Sequence, residues 1–408
     1  MKSGLSFLLA AQQCEIRELE QLAATSELVS LLARFTHAVQ RERGITNLYL
    51  ASEGVRFADQ RLQQAAECAA IEAQVRERFD GLDTEGHSVR NGARLFSRVA
   101  GVLHSLDGLA GVRRSIAAQS VTPKEATTAM VRVISGLLGV VFEAADSATD
   151  PEISRSLVAL FNFMQGKEFA GQERAFGCAI FAAGRPDAGG VQQWQHLIDS
   201  QQACFQVFAD FADFQVLEAD RASVDLRGLA ELERLRRIGF TQADGGRSDG
   251  GLAQVWYDCC TRRIDTMRRV EEIQAEYLRA LCETKIAQAR TELRDQRAML
   301  EALAAQPPAV AGEAPMYGPQ LERSILGMVQ DQARRLQAMS DELDTVRASL
   351  NERKVVERAK GLLMAAQHLT EAEAYKALRQ MAMNQNRRVV DVAENVLAMA
   401  DVLPSRAR

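Results

Sequence analysis

Along most of the chain apolar residues recur at every third or fourth position, the period of one face of an α-helix; Leu28, Leu31, Leu32, Phe35 and Val39 form one such run. No stretch sustains the alternate-residue Val/Ile/Thr/Tyr pattern of a half-buried strand, so the sequence predicts an all-α fold without strands. Gly81 to Gly86, Gly184 to Gly190 and Thr241 to Gly251 read as loops. The long helices between them read as antiparallel bundles. From Leu252 to Leu303 the pattern meets neither Gly nor Pro. A helix of that length should protrude from or cap the bundle and lead mechanically into a linker. Residues 306–319, with four prolines and two glycines, form that linker, a break that helix cannot cross.

Beyond the break, Ile325, Val329, Leu336, Met339, Leu343, Val346 and Leu350 alternate four and three apart once Gln332 takes a core position. This heptad seam fits a dimeric coiled coil, or one face of a helix packed within its own chain. The helix continues through Met364. Thr370 with Glu373 is a capping box that opens a second helix, Glu371 to Met383. Asn384 to Asn386 breaks it, and Asn386 can cap a third helix through Leu397. Two helices this short have too little core to stand alone and should fold back on the end of the long one. The expected divisions are a helical-bundle domain (1–305), a linker (306–319), a coiled-coil helix (320–352) and a three-helix module (353–403).

Composition agrees with helix: Pro numbers 8 in 408 residues, aromatics reach 6%, and Ala, Leu, Glu, Arg and Gln dominate. The seven cysteines include no CxxC pair and no His at ligand spacing, which fits buried free thiols in a reducing cytoplasm and no metal. The short apolar run behind Lys2 lacks a small-residue cleavage site and continues as the amphipathic Glu15 to Glu20, so it reads as domain structure. No run approaches the roughly 18 apolar residues of a membrane span. A soluble, cytoplasmic protein is expected. No Walker loop, nucleophile elbow or metal-spaced pair among the five histidines points to catalysis or a cofactor.

Charge is uneven. Arg353 to Arg408 holds ten Lys/Arg and six Asp/Glu, so this tail carries +4 and the preceding 352 residues −9. A basic tail on an acidic body suggests a polyanionic partner. The tail contains Ala359-Lys-Gly-Leu-Leu-Met364, Glu373-Ala-Tyr375 and Arg379-Gln-Met-Ala-Met383 ahead of Arg387-Arg388. These elements, at this spacing over about 50 residues, resemble an ANTAR domain, the RNA-binding output module of transcription antiterminators. The resemblance implies binding to paired hairpins in a leader transcript, disfavouring a terminator, with RNA polymerase affected only indirectly. Arg353, Arg358, Lys360, Arg379, Arg387 and Arg388 are candidate RNA contacts, since exposed loops offer phosphates and unstacked bases to flexible cations. Tyr375 either stacks on a base or packs as a core ring. Ala359 and Gly361 suit close approach of a helix or of RNA. A helix-turn-helix DNA binder is the competing reading, for which Asn384 to Arg388 is an unusual turn.

In the first long helix, Gln40-Arg-Glu-Arg43-Gly44 sets a helix-destabilising glycine in an otherwise apolar face, as though something must approach the backbone. Lys167-Glu-Phe-Ala-Gly171-Gln-Glu-Arg174 repeats the theme. Both elements, with Trp256 to Asp265, resemble the nitrate- and nitrite-sensing domain over roughly residues 30 to 290. The resemblance implies a pair of stacked four-helix bundles and nitrate or nitrite as signalling ligand; the heptad seam adds the expectation of a homodimer whose association depends on that ligand. Nitrate is a planar, weakly hydrated monoanion that a guanidinium fork can meet at two oxygens. Arg43 and Arg174 are the first candidate ligands, followed by Arg41 and Arg236; ion pairing with neighbours such as Glu42 or Glu173 is the alternative. A helical sensor acting through a protein partner is the rival from another class.

Overall fold

The computed structural model describes residues 4–82, 92–183, 188–241, 250–304, 319–367, 369, 371–385 and 387–402. These form twelve helices and no strand: α1 (Gly4–Ala51), α2 (Ala58–Asp80), α3 (Gly92–Ala117), α4 (Pro123–Ser147), α5 (Pro151–Ala183), α6 (Ala188–Phe211), α7 (Phe214–Ser223), α8 (Leu226–Thr241), α9 (Gly250–Ala304), α10 (Pro319–Gln367), α11 (Glu371–Gln385) and α12 (Val389–Val402). The proline-rich break up to residue 318, Thr370, Asn386 and the glycine loop after Thr241 lie outside the described residues, and Pro319 opens α10. The chain divides into two compact units, Met1–Gln337 and Ala338–Arg408, so the division falls inside α10 and not at the proline-rich stretch.

In the first unit α1 packs on α2, α4 and α9, and α3 on α4. α5 packs on α6, α8 and α9, and meets α1 and α4 as well. Helix starts are fixed by short side chains. Thr122 accepts from the Glu125 amide and Glu125 reciprocates, with Pro123 in the first turn of α4. Asp150 Oδ1 accepts from the amides of Glu152 and Ile153 at 3.0 Å each and opens α5. By length and composition α4 can cross a membrane, contrary to the expectation that no run approaches that length. Its apolarity has another use: Ile134, Leu137 and Val141 are buried between neighbouring helices. Where α5, α6, α8 and α9 meet, Phe181, Trp194, Leu235 and Trp256 form an aromatic-aliphatic core. Burial of each such side chain contributes about 1.5–3 kcal/mol.

The long α9 does not protrude alone. Its C-terminal third is tied to α1 through Arg290 and Glu20, 2.6 Å apart, and through Gln12 and Gln296. Arg335, in the first half of α10, bonds Glu292 of α9 at 2.9 Å and Glu15 of α1 at 3.1 Å. Cys68, Cys204, Cys259, Cys260 and Cys282 are buried free thiols as expected, but Cys14 is exposed and Cys178 half-buried.

In the second unit, Ala359 and Leu363 of α10, Ala374, Leu378 and Ala382 of α11, and Val392 and Ala393 of α12 form a small core. The two short helices thus fold back on the end of the long one. α11 runs two residues beyond the expected Met383, because Gln380 Nε2 donates to Asn384 Oδ1 at 2.9 Å and the asparagine is absorbed into the helix. Along the heptad seam Leu343, Val346 and Leu350 are buried, whereas Val329 and Leu336 are exposed.

Candidate functional site

Two helical glycines explain the middle of the first unit. A Cβ at Gly44 of α1 would lie 2.7 Å from Arg174 Nη2 of α5, and a Cβ at Gly171 of α5 would lie 2.7 Å from Arg43 Nη2 of α1. Each helix therefore uses its glycine to admit the other's arginine, and the exchange is reciprocal. Alanine at either position would push a guanidinium aside. The close approach inferred from Gly44 is that of Arg174.

The two arginines then meet different fates. Arg43, 2% exposed, forks onto Glu168 at 2.5 and 3.2 Å. The same carboxylate accepts from Gln40 Nε2 at 2.8 Å and Gln172 Nε2 at 2.9 Å, so its four acceptor positions are filled. Next to it, Lys167 and Glu271 form a wholly buried ion pair between α5 and α9. Arg236 forks onto Glu173 through Nε and Nη2, both at 2.7 Å, and reaches Glu233 at 2.5 Å. Glu173 also accepts from Trp194 Nε1 at 3.0 Å and Gln201 Nε2 at 2.7 Å. Burial alone would raise the Glu173 pKa, but the Arg236, Gln201 and Trp194 bonds outweigh it and hold the carboxyl below the usual range.

Arg174 has no such partner. It is 7% exposed and forms no ion pair among the described residues. Its Nη1 donates to Thr261 Oγ1 of α9 at 2.9 Å, and its guanidinium carbon lies 5.0 Å from the Tyr257 ring centroid. The Trp256 indole donates to the Arg174 carbonyl at 3.0 Å, pinning α9 against α5 at this level. The guanidinium faces a cavity of about 420 Å³ bounded by α1, α5 and α9 and lined by His37, Gln40, Arg41, Ile45, Arg174, Tyr257, Thr261, Ile264 and Asp265.

Of the four arginines expected to bind an anion, then, Arg41 and Arg174 line this cavity, while Arg43 and Arg236 do not. Arg41 is 53% exposed and only loosely paired with Glu67, at 3.8 Å. The ion-pairing alternative holds for Arg236, which takes Glu173, and for Arg43, which takes Glu168 and not its neighbour Glu42; Glu42 takes Arg113, at 2.8 Å through two bonds, and Arg174 pairs with neither Glu42 nor Glu173. Adjacent residues of a helix point about 100° apart and cannot face each other. Sequence reasoning assigned no role to His37, Gln40, Tyr257 and Thr261. Burial, then the cations Lys167, Arg268, Arg41 and Arg174, push the His37 pKa down to about 2, so its ring is neutral and adds no charge to the wall. With two guanidinium groups against the single carboxylate of Asp265, the cavity is electropositive.

In the second unit the expected RNA-contacting groups are spread over three helices. Arg358 of α10 and Arg387 and Arg388 before α12 are exposed, and Arg353, Arg379 and Tyr375 are half-buried. Arg388 bonds Glu352 of α10 and Asp391, both at 3.1 Å, which fixes the start of α12 beside the residue preceding Arg353. Lys360 is 7% exposed and capped by Glu357 at 2.9 Å. Ala359 is in the core, but Gly361 is exposed and a Cβ there would meet nothing within 4 Å.

Known proteins bear on both units. The family model described as nitrate and nitrite sensing matches residues 34–279, and the ANTAR domain model matches residues 344–397. A nitrate regulatory protein of Klebsiella oxytoca is 34% identical over 95% of this chain and 93% of its own length. A transcriptional regulatory protein, PdtaR, of Mycobacterium tuberculosis is 41% identical over 16% of this chain and 31% of its own. Among solved structures, the NasR transcription antiterminator superposes with a TM-score of 0.62 at 30% identity, covering 98% of this chain and 99% of that one. The chain belongs to the nitrate- and nitrite-sensing family and carries an ANTAR domain at its C-terminal end.

Proposed function

We propose that this chain is a cytoplasmic, nitrate- or nitrite-responsive regulator that prevents transcription termination by binding leader RNA. The observation that carries the sensing half is Arg174, a buried guanidinium without a carboxylate, directed at an electropositive cavity. An uncompensated buried cation is costly, and a bound anion removes that cost. Nitrate and nitrite suit the place because they carry one charge, shed water easily and offer two oxygens to one guanidinium edge. Arg174 is the direct ligand in this reading, with Arg41 closing the cavity mouth. Arg43 and Arg236 hold Glu168 and Glu173 and so set the helices on which Arg174 stands.

The RNA half rests on the ANTAR match and on the placement of Arg353, Arg358, Lys360, Arg379, Arg387 and Arg388 around a compact three-helix core, with Tyr375 among them. Paired hairpins are the proposed target, and RNA polymerase responds only to the outcome. The seam positions Val329 and Leu336, exposed in the single chain, are the proposed contacts of a ligand-dependent homodimer. No catalytic step is assigned: the matched families are sensing and regulatory modules.

The test uses the full chain. Gel shifts of a two-hairpin leader RNA at fixed ionic strength, with nitrate, nitrite, chloride or sulfate, should show tighter binding with the first two only. Binding unaffected by nitrate and nitrite refutes the sensing half, and no binding at moderate salt refutes the RNA half. Thermal melts in the same four salts give an independent reading of anion binding.

A further inference from the structure

We infer that Tyr257 and Thr261 of α9 act with Gly44 as the shape filter of the anion site, restricting it to planar oxyanions. The inference rests on the sensing half of the proposed function and concerns residues to which neither the sequence motifs nor the family match assigns a role. Tyr257 and Thr261 are four residues apart on one helix face, so both address the same guanidinium. Thr261 takes one hydrogen of Nη1, which fixes the rotation of the group about its long axis. The guanidinium carbon lies over the Tyr257 ring, 5.0 Å from its centroid, and Gly44 leaves Nη2 and the Tyr257 hydroxyl room that a Cβ, 2.7 and 3.7 Å from them, would occupy. The side of the guanidinium toward α9 is thereby occupied by the ring and one Nη1 hydrogen is taken, and hydrogens remain for the ligand. An anion meeting two of them in bidentate fashion lies in the guanidinium plane, beside an aromatic ring and the apolar Ile45 and Ile264. A flat trigonal ion fits such a layer. A tetrahedral ion of the same charge directs oxygens out of the plane, against the ring or the α1 backbone.

The filter separates nitrate from perchlorate, which is also a weakly hydrated monoanion but is tetrahedral. Thermal melts of the full chain are titrated with each anion at constant ionic strength in chloride, and Arg174→Ala supplies the background salt effect. In the parent, nitrate and nitrite should raise the melting temperature saturably, and perchlorate should not exceed the Arg174→Ala background. Tyr257→Leu should weaken nitrate roughly tenfold, the loss of a cation–π contact in a desolvated site, and bring nitrate and perchlorate to similar affinity. Thr261→Val should do the same to a lesser degree, with recovery in Thr261→Ser, and Tyr257→Phe should keep the selectivity because the ring is retained. A purely structural role predicts something else: Tyr257→Leu lowers the ligand-free melting temperature but leaves the nitrate affinity and the nitrate-to-perchlorate ratio untouched. That result overturns the inference while leaving the sensing function standing. Parent protein that responds equally to both anions also overturns the filter, and parent protein that responds to neither overturns the sensing function itself.

Discussion

Replacing Arg43 by Ala distinguishes the latch from the ligand. In the folded chain the Glu168 carboxylate is 3% exposed and accepts four hydrogen bonds, two of them from Arg43. The variant keeps the two amide donors, Gln40 and Gln172, but strands a buried carboxylate without its counter-charge. Removing one partner of a buried pair costs about 3–5 kcal/mol, most of it the desolvation of the survivor. Unfolding entropy of roughly 2.1 cal/mol/K per residue, taken over the unit Met1–Gln337, is about 0.7 kcal/mol/K. The melting temperature should therefore fall by about 4–7 °C. Calorimetry of parent and variant, each with and without nitrate, measures this, and the variant should keep a nitrate-dependent rise because Arg174 is intact. Arg174→Ala should behave in the opposite way, with a small loss of ligand-free stability and no nitrate response. Replacing both Arg43 and Glu168 by Leu should recover most of the loss, since neither member of the pair is then left as a buried charge without its partner. The reasoning is wrong if Arg43→Ala melts within about 1 °C of the parent, or if Arg174→Ala keeps the full nitrate response.

Three further outcomes concern other parts of the molecule. His37 has a folded-state pKa of about 2 against an ordinary 6.5, so below pH 6.5 the unfolded chain binds a proton that the folded chain refuses; stability intact above that pH drops by about 2 kcal/mol by pH 5. His37→Gln should remove this component, and melts at pH 7 and pH 5 should differ by about 3 °C less than in the parent. Gly361→Ala, at an exposed position inside α10 where a Cβ meets nothing, should raise helix stability by about 0.5–1 kcal/mol, seen in denaturant unfolding followed by circular dichroism, and should weaken RNA binding if the transcript approaches that face. Leu378→Ala removes a fully buried side chain from the small core of the second unit and should cost about 2–5 kcal/mol, abolishing RNA binding in gel shifts while the nitrate-dependent melt of the first unit is unchanged.

The helices were legible because their period, their breakers and their caps are local. The uninterrupted stretch after Gly251 is α9, and the run from the linker to Met364 is one helix, α10. Gly44 announced a close approach because a helical glycine needs a reason, and the reason proved to be a side chain 130 positions away. What the sequence did not reveal was which arginine would be left without a carboxylate. Glu168 and Glu173 stand in the same motif as Arg174, yet they point along different directions of α5, one to Arg43 on α1 and the other to Arg236 on α8. Those pairings depend on where three helices are placed, which no local pattern encodes. Tyr257 and Thr261 lie in the Trp256–Asp265 stretch yet received no individual role for the same reason: their common face is readable, but its partner is not. The apolar length of α4 went unremarked in the sequence, and the structure accounts for it by burial between helices.

The placement of the cavity bears on how an anion would act at a distance. α9 contributes Tyr257 and Thr261 to the wall, then Glu271 to the buried pair with Lys167, and farther along Glu292, which holds Arg335 of α10. Everything an anion in this cavity would touch on α9 therefore shares one continuous helix with the contact that holds the first half of α10, and α10 continues covalently into the ANTAR core. A ligand shifts such a system only by as much as it binds one arrangement better than another. Arg174 supplies that difference if the arrangements differ in how closely α5 and α9 hold the guanidinium, because bidentate binding rewards only one spacing. The buried Lys167–Glu271 pair makes intermediate spacings expensive, since a partly separated pair is neither hydrated nor matched. Two discrete positions of α9, one favoured by the anion, are then a more economical account of the response than a gradual shift. Lys167→Met with Glu271→Leu, which removes the charges but keeps the volume, should leave nitrate binding in place and uncouple it from RNA affinity.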